Sequence, residues 1–270
     1  MARRGEAKMK SGFNSLLASV FAIVAYCSLT SPTHARESEP SKLDRQTYVL
    51  VHGAWGGGWA FRHLANLLEK AGHTVYRPTM TGLGERVHLA NPSIHLETHI
   101  QDIINVIEFE ELRNVILVGH SYGGMVISGV ATRIPKRLAC LIYIDAHVPE
   151  NGESMFDLIA ADRKQKLLAI AHDRGDNWLV PPPWPNPGKD MPHPLATFQD
   201  PVKVGKLDST VLPGHFVWTV EPGSNHDDFS ESASRARNRG WRVYKLPTGH
   251  NPHWSMPEKL SKILLEAGQL

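Results

Sequence analysis

The sequence predicts an α/β fold with a mainly parallel sheet of about six strands flanked by helices. Short β-rich runs alternate along the chain with segments of 3.6-residue apolar periodicity. Continuous apolar strands separated by helices are typical of a parallel sheet covered on both faces. Two interruptions of this alternation, a serine between glycines and a long strand-free stretch, carry the functional prediction. The predicted strands are 47–52, 74–78, 114–119, 140–146, 215–220 and 241–246.

The first 35 residues have the features of a secretory signal peptide. Basic residues in 1–10 precede the apolar run "LLASVFAIVAYCSL", which is too short to span a bilayer comfortably, and small residues end at Ala35. An uncleaved N-terminal anchor is the alternative. Cys27 raises a lipoprotein alternative, which Tyr26 disfavours. We expect a mature domain at 36–270, secreted or periplasmic, with no stable membrane insertion after cleavage.

The composition indicates one globular domain with small-molecule partners. The chain has 270 residues, 41% hydrophobic and 21% charged, and a formal net charge of +2. The body of the chain has no basic run, so a nucleic-acid partner is not expected. After cleavage Cys140 would be the remaining cysteine, which excludes an internal disulfide. Its apolar surroundings would raise the thiol pKa and make a nucleophilic role unlikely.

The helical segments are placed between the strands by their periodicity. "AFRHLANLLEKAG" ends in a glycine where a helix C-terminus is expected, and "HIQDIINVIEFEEL" follows the second strand. From about 148 to 214 no convincing strand is found, and "LVPPPWPNPGKDMPHP" is rich in proline and tryptophan. A disordered linker is one interpretation. The length and the aromatic content favour a cap inserted before the last two strands.

The stretch Gly119-His120-Ser121-Tyr122-Gly123 predicts a catalytic serine. It follows a predicted strand and precedes a helical segment, which is the context of a nucleophile elbow. The glycines leave room for a sharp turn that holds the serine in a strained conformation. The alternative is a simple glycine-rich turn.

A serine nucleophile requires a base and donors for the oxyanion. His250 follows the last predicted strand, where a loop would return it to Ser121. His253 could pair with it at a metal site, but no third ligand is evident. The glycine-rich "VHGAWGGGW" offers the N–H of Ala54, and Tyr122 follows the nucleophile, so both are expected to donate to the oxyanion. A dinucleotide site is disfavoured, because the glycine spacing is not G-x-G-x-x-G.

Together these motifs resemble the α/β-hydrolase fold. "LVHGAWGGGWAF", "GHSYGGMV" and "TGH" are similar to the small-esterase branch that contains plant methyl-ester esterases and hydroxynitrile lyases. The resemblance covers most of the mature chain outside the proline-rich part of the cap. Lyases of this branch carry a threonine and a lysine where this sequence has Gly53 and Asn251, which disfavours lyase activity.

Three carboxylates compete for the triad acid. The branch usually takes its acid from the loop after strand 215–220, where Glu221 is near the expected place and Asp227 lies further along. Asp145 ends the apolar strand "LIYIDA", where an unpaired carboxylate would be costly to bury. Its position resembles that of the acid in haloalkane dehalogenases and some lipases. Asp145 is preferred, and a loop-anchoring role remains its alternative.

The sequence thus predicts a serine esterase that acts through an acyl-enzyme on small or medium apolar carboxylic esters. No metal or organic cofactor is required. The alternatives are a carbon–carbon or cyanohydrin lyase and a non-catalytic binding protein on the same fold. Acyl chain length, lactone or amide preference and oligomeric state are left open. The expected substrate contacts are Trp55, His120, Trp178 and Trp184.

Overall fold

The structure, a computed structural model, describes residues 45–185, 188–208, 210–223 and 227–269. The predicted signal peptide, 1–35, lies outside the described residues. Within those ranges, no helix combines the length and the apolar character needed to cross a membrane.

A six-stranded parallel sheet organises the fold, as the alternation of strands and helices predicts. Its strand order is β2-β1-β3-β4-β7-β8, and every neighbouring pair is parallel. The carboxyl ends of the strands therefore meet at one edge, where the order reverses between β1 and β3 and where α/β proteins bind ligands. The strands are β1 (Thr47–Val51), β2 (Thr74–Tyr76), β3 (Val115–His120), β4 (Leu138–Ile144), β5 (Leu179–Val180), β6 (His193–Pro194), β7 (Gly214–Thr219) and β8 (Arg242–Leu246).

Helices cover both faces of this sheet. The predicted end of the first helix is confirmed, because Gly72 follows it with a φ of 94°, a conformation that suits glycine. The second helix begins three residues before the predicted segment. The α-helices are α1 (Arg62–Lys70), α2 (Leu96–Phe109), α3 (Gly123–Arg133), α4 (Ala161–Arg174), α5 (Ala196–Gln199), α6 (Ser230–Asn238), α7 (Pro252–Ser255) and α8 (Pro257–Gly268).

The core divides into two apolar clusters, one on each face of the sheet. Along β1, Val49 and Val51 belong to one cluster, while Tyr48 and Leu50 belong to the other. This alternation follows from the two-residue period of a strand. Cys140 is fully buried in the second cluster, and burial raises the pKa of its thiol to about 12.

The chain between β4 and β7 contains the predicted cap segment and corrects one expectation about it. A two-stranded antiparallel sheet, β5–β6, lies within the stretch where no strand was expected. Two-residue strands next to prolines are too short to give a period-2 pattern. Phe156 and Phe198 of this segment are buried in the larger core cluster, which fits the packing role expected of its aromatic residues.

Candidate active site

Ser121 lies in a sharp turn between the end of β3 and the start of α3. Its φ is 54°, in the left-handed region that non-glycine residues rarely adopt. The turn is held by Ser121 N–H donating to the carbonyl of Ile144 (3.2 Å) and by His147 N–H donating to the carbonyl of Ser121 (3.2 Å). Such a conformation costs about 1–3 kcal/mol and persists where the surroundings enforce it.

The glycines of the motif are required by the close approach of backbone to backbone. A Cβ at position 119 would lie 2.8 Å from the carbonyl oxygen of Gly123. A Cβ at position 123 would lie 2.6 Å from the carbonyl oxygen of Val51. The G-x-S-x-G spacing therefore lets the elbow pack against β1.

His250 and Asp145 form a direct contact at the same edge of the sheet. His250 Nδ1 lies 2.7 Å from Asp145 Oδ2. Because an ionised carboxylate only accepts, Nδ1 carries the proton, and Nε2 is left as the acceptor. The ring of Phe229 stacks on the imidazole, with centroids 5.0 Å apart and an interplanar angle of 4°. This arrangement fixes both the tautomer and the plane of the ring.

Asp145 is held as firmly as the histidine. Asp145 follows β4 with a φ of 41° and is only 3% exposed to solvent. Its N–H donates to the carbonyl of Val217 (2.8 Å), and its Oδ1 accepts from the N–H of Thr219 (3.0 Å). One carboxylate oxygen is thus used by the backbone and the other by His250.

The two competing carboxylates lie nearby with different partners. Asp227 Oδ1 accepts from the indole N–H of Trp218 (3.2 Å) and from the N–H of Phe229 (3.0 Å), so it anchors its own loop. Glu221 is exposed and shares a small polar pocket of about 150 Å³ with Asp145 and His250. Within the described residues, no hydrogen bond joins Glu221 or Asp227 to His250.

The expected oxyanion donors lie on the two loops that flank Ser121. Within the described residues, the N–H groups of Ala54 and Tyr122 have no hydrogen-bond acceptor in the turns and loops. The loop of Ala54 is shaped by His52, whose Nδ1–H donates to the carbonyl of Gly53 (2.8 Å) and whose Nε2 accepts from Met80 N–H (3.1 Å). Burial lowers the pKa of His52 to about 4, so it remains a neutral structural group at neutral pH.

A cavity of about 290 Å³ opens over Ser121 and His250. Three of the four residues expected to contact substrate, Trp55, His120 and Trp184, line it; Trp178 is half-buried and does not. Most of the wall is aromatic or small, and the charged side chains on it come from the segment between β4 and β7. The lining residues are His52, Gly53, Ala54, Trp55, Gly56, Ala60, Phe61, His120, Ser121, Arg163, Trp184, Asp190, His250, Asn251, His253 and Trp254.

His120 supports the loop of His250 in addition to lining the cavity. Its Nε2 lies 2.9 Å from the carbonyl oxygen of His250, and since a carbonyl only accepts, Nε2 carries the proton. Burial, followed by the neighbouring His250 and His253, holds the pKa of His120 well below its usual value. A neutral His120 therefore positions the backbone of His250.

Trp55 connects the loop of Ala54 to the segment between β4 and β7. Its indole N–H donates to the carbonyl of Val180 (2.8 Å), and its backbone N–H donates to His193 Nδ1 (3.1 Å). Its carbonyl accepts from Met191 N–H (2.8 Å). Trp55 has a φ of 64° and is 6% exposed. Its indole N–H is thus committed to the protein and leaves the ring as its surface toward a substrate.

Several cavity and supporting residues were not anticipated from the sequence. Arg163 and Asp190 lie far from every motif, in a region without strand signals. Phe229 and Thr219 act through a ring face and a backbone N–H, for which no sequence pattern exists. Trp254 could have been found, since it lies four residues after His250 in the same short loop and helix. Its indole N–H donates to the carbonyl of Ala60 (3.1 Å).

Comparison with known proteins decides the family. The profile of the α/β hydrolase family matches residues 48–263. The chain belongs to the α/β hydrolase family. Both the fold and the resemblance predicted from the motifs are thereby confirmed. Within the described residues, no group of three or more His, Cys, Asp or Glu side chains could hold a metal ion.

Three similar proteins illustrate the relationship. A carbendazim hydrolyzing esterase from Nocardioides sp. (strain SG-4G) is 40% identical over 242 residues, 82% of this chain and 99% of that protein. An extracellular α/β-hydrolase from a Paenibacillus species superposes with a TM-score of 0.73 at 23% identity, over 83% of this chain and 100% of the other. A methylesterase from Arabidopsis gives a TM-score of 0.61 at 22% identity, over 82% and 98%. The named activities support the predicted enzyme class, a carboxylic ester hydrolase.

Proposed function

We propose that this enzyme hydrolyses small or medium apolar carboxylic esters through an acyl-enzyme formed on Ser121. The observation that carries the proposal is the 2.7 Å contact of Asp145 with His250, which lines the same cavity as Ser121. A strained serine, an oriented imidazole and a buried carboxylate are the parts that activation of a hydroxyl requires.

In the first half-reaction, His250 Nε2 takes the proton from Ser121 as Oγ bonds to the ester carbonyl carbon. The carbonyl oxygen becomes an oxyanion that accepts from the N–H groups of Ala54 and Tyr122. Asp145 stabilises the imidazolium through the Nδ1 hydrogen bond. The carbon–oxygen bond to the alcohol then breaks, and the leaving alkoxide takes the proton from His250.

In the second half-reaction, water replaces the alcohol. His250 removes a proton from the water as its oxygen bonds to the acyl carbon, and the ester bond to Ser121 breaks when Oγ is reprotonated. The products are a carboxylic acid and the free serine. No external oxidant, reductant or cofactor enters this balance.

The proposed substrate size follows from the cavity. A volume of about 290 Å³ lies at the lower end of small-molecule pockets. The aromatic rings of Trp55 and Trp184, 5.1 Å apart in an edge arrangement, form an apolar wall suited to a compact acyl or alcohol group. Carbendazim, which the name of the 40% identical relative gives as its substrate, is one of the compounds to be tested.

The test is hydrolysis of p-nitrophenyl acetate, p-nitrophenyl hexanoate and carbendazim by the full chain and by a Ser121→Ala variant of equal circular dichroism. Wild-type turnover reduced by at least about 10⁴-fold in the variant supports the proposal. Equal turnover by the two proteins would overturn it. Absence of turnover from folded wild type, together with cyanohydrin cleavage, would move the assignment to a lyase.

Export is the second part of the proposal. The N-terminal pattern predicts cleavage after Ala35 and a mature domain at 36–270. The cap predicted at about 148–214 lies within that mature domain. The similar Paenibacillus hydrolase is named as extracellular, which supports this location. N-terminal sequencing of protein recovered from a bacterial periplasm or medium should begin at or near Arg36. Recovery of the intact N-terminus from the cytoplasm would contradict export.

A further inference from the structure

Two oppositely charged side chains line an otherwise mostly aromatic cavity. Arg163 is paired with Asp228 of the loop after β7, so its charge is matched by the protein. Asp190 is different: among the described residues, no Lys or Arg forms an ion pair with it. Trp184 lines the same cavity wall.

Asp190 is held close to the expected oxyanion loop. The next residue, Met191, donates its N–H to the carbonyl of Trp55 (2.8 Å). Trp184, which lines the same cavity as Asp190, packs its ring on Trp55 with centroids 5.1 Å apart. Trp55 directly follows Ala54. The backbone next to Asp190 is therefore anchored to the loop that is expected to hold the reacting carbonyl.

A negative charge at this place is unfavourable for the bare enzyme. Partial burial raises the pKa of Asp190, which measures the cost of desolvating its carboxylate. The same charge would oppose the negative charge that develops on the substrate oxygen. A hydrogen-bond donor carried by the substrate would offset both costs, because hydrogen bonds to charged groups contribute more than neutral ones.

We propose that Asp190 is a specificity-determining residue that accepts a hydrogen bond from an N–H group of the substrate. The preferred substrate class is then a compact aromatic carboxylic ester bearing an N–H donor. This inference rests on the proposed ester hydrolysis at Ser121. Arg163 cannot serve the same purpose, since a guanidinium only donates hydrogen bonds, and it is engaged by Asp228.

The probes are two esters of closely similar shape, methyl indole-2-carboxylate and methyl benzofuran-2-carboxylate. They differ in whether the five-membered ring presents an N–H donor or an oxygen. We expect wild type to prefer the indole ester by about 10-fold or more in kcat/KM at about pH 8, where the carboxyl is ionised. Asp190→Leu should bring the ratio close to one, and Asp190→Asn, which keeps an acceptor, should give an intermediate ratio.

Trp184→Phe is the matched control. It alters the cavity wall yet leaves the carboxylate of Asp190. The kcat/KM values of both esters should therefore fall together, while their ratio stays within about threefold of wild type. A merely structural role of Asp190 would instead make Asp190→Leu lower both esters equally. An unchanged ratio in Asp190→Leu, or a wild-type ratio near one, would overturn the proposal.

Binding of the same two esters to full-chain Ser121→Ala, measured by calorimetry, separates this proposal from the proposed function. Selective binding of the indole ester that is lost on adding Asp190→Leu supports the role of Asp190, even if no ester is hydrolysed. The opposite result is turnover of p-nitrophenyl acetate by wild type while Ser121→Ala binds the two aromatic esters equally or binds neither. That result would retain the esterase and reject the role of Asp190.

Discussion

Replacement of Asp145 by asparagine gives the sharpest test of the site geometry. Asp145 Oδ2 meets His250 Nδ1 at 2.7 Å, while Oδ1 accepts from Thr219 N–H. Asparagine can keep the Thr219 bond through its oxygen. Its NH₂ group then faces Nδ1 and favours the tautomer in which Nε2 carries the proton. That imidazole cannot accept the proton of Ser121.

We expect Asp145→Asn to lose much of its kcat and only a small part of its stability. In triads of this chemistry the change costs about 10⁴ in kcat, which corresponds to about 5.4 kcal/mol of transition-state stabilisation. The lost charged hydrogen bond should lower the free energy of unfolding by about 1.5–3 kcal/mol. Glu221→Gln is the matched control, because Glu221 is an exposed carboxylate of the neighbouring loop, and its kcat should remain within about twofold of wild type.

The assay is p-nitrophenyl acetate hydrolysis under saturating and limiting substrate, with urea unfolding of each variant. A folded Asp145→Asn that retains more than about one tenth of wild-type kcat would refute the reasoning. Loss of activity in Glu221→Gln with an active Asp145→Asn would move the acid to the loop after β7. Residual activity of Asp145→Asn that disappears only in the double variant would assign Glu221 a substitute role.

Three further outcomes are expected. Gly123→Ala should lower the activity and reduce the free energy of unfolding by about 1–3 kcal/mol or more, because its Cβ would meet the Val51 and His52 carbonyl oxygens at 2.6 and 2.9 Å. Gly205→Ala is the control and should be nearly neutral, because the nearest atom to its Cβ would lie 3.5 Å away. Equal urea midpoints for the two variants would contradict the packing argument. His120→Phe should lower kcat by about 10-fold with little change in far-ultraviolet circular dichroism, because the bond to the His250 carbonyl is lost; unchanged kcat would remove the positioning role. Burial lowers the pKa values of His52 and His99 to about 4, so these side chains take up protons on unfolding below about pH 6.5. Their contribution to stability should be complete above that pH and should fall by up to about 1.4 kcal/mol per histidine and pH unit as the pH decreases toward 5. Equal urea midpoints at pH 7 and pH 5 would contradict this.

The sequence predicts those parts of the site in which the backbone geometry demands a particular residue type. The Ser121 elbow needs glycine at 119 and 123, since any Cβ there would meet backbone atoms, and those glycines stand out in the chain. The sequence favours Asp145 as the acid, because a carboxylate that ends a buried strand needs a partner. The structure brings it to His250.

The parts that the sequence could not predict depend on packing between distant segments. Asp190 reaches the cavity because Met191 and Trp184 are anchored on Trp55, 136 and 129 residues earlier in the chain. Trp178 and Trp184 look alike in the sequence, yet only Trp184 lines the cavity. The strands β5 and β6 give no sequence signal, because two residues next to prolines are too few to show a periodic pattern.

The central claim is that Ser121 becomes covalently acylated. The most direct measurement treats the full chain with diethyl p-nitrophenyl phosphate, which phosphorylates an activated serine, and locates the label by peptide mass spectrometry. We expect one label per chain on the peptide containing Ser121, loss of esterase activity in proportion to labelling, and much slower labelling of Asp145→Asn. Label on another residue with parallel loss of activity, or full activity after complete labelling of Ser121, would contradict the account.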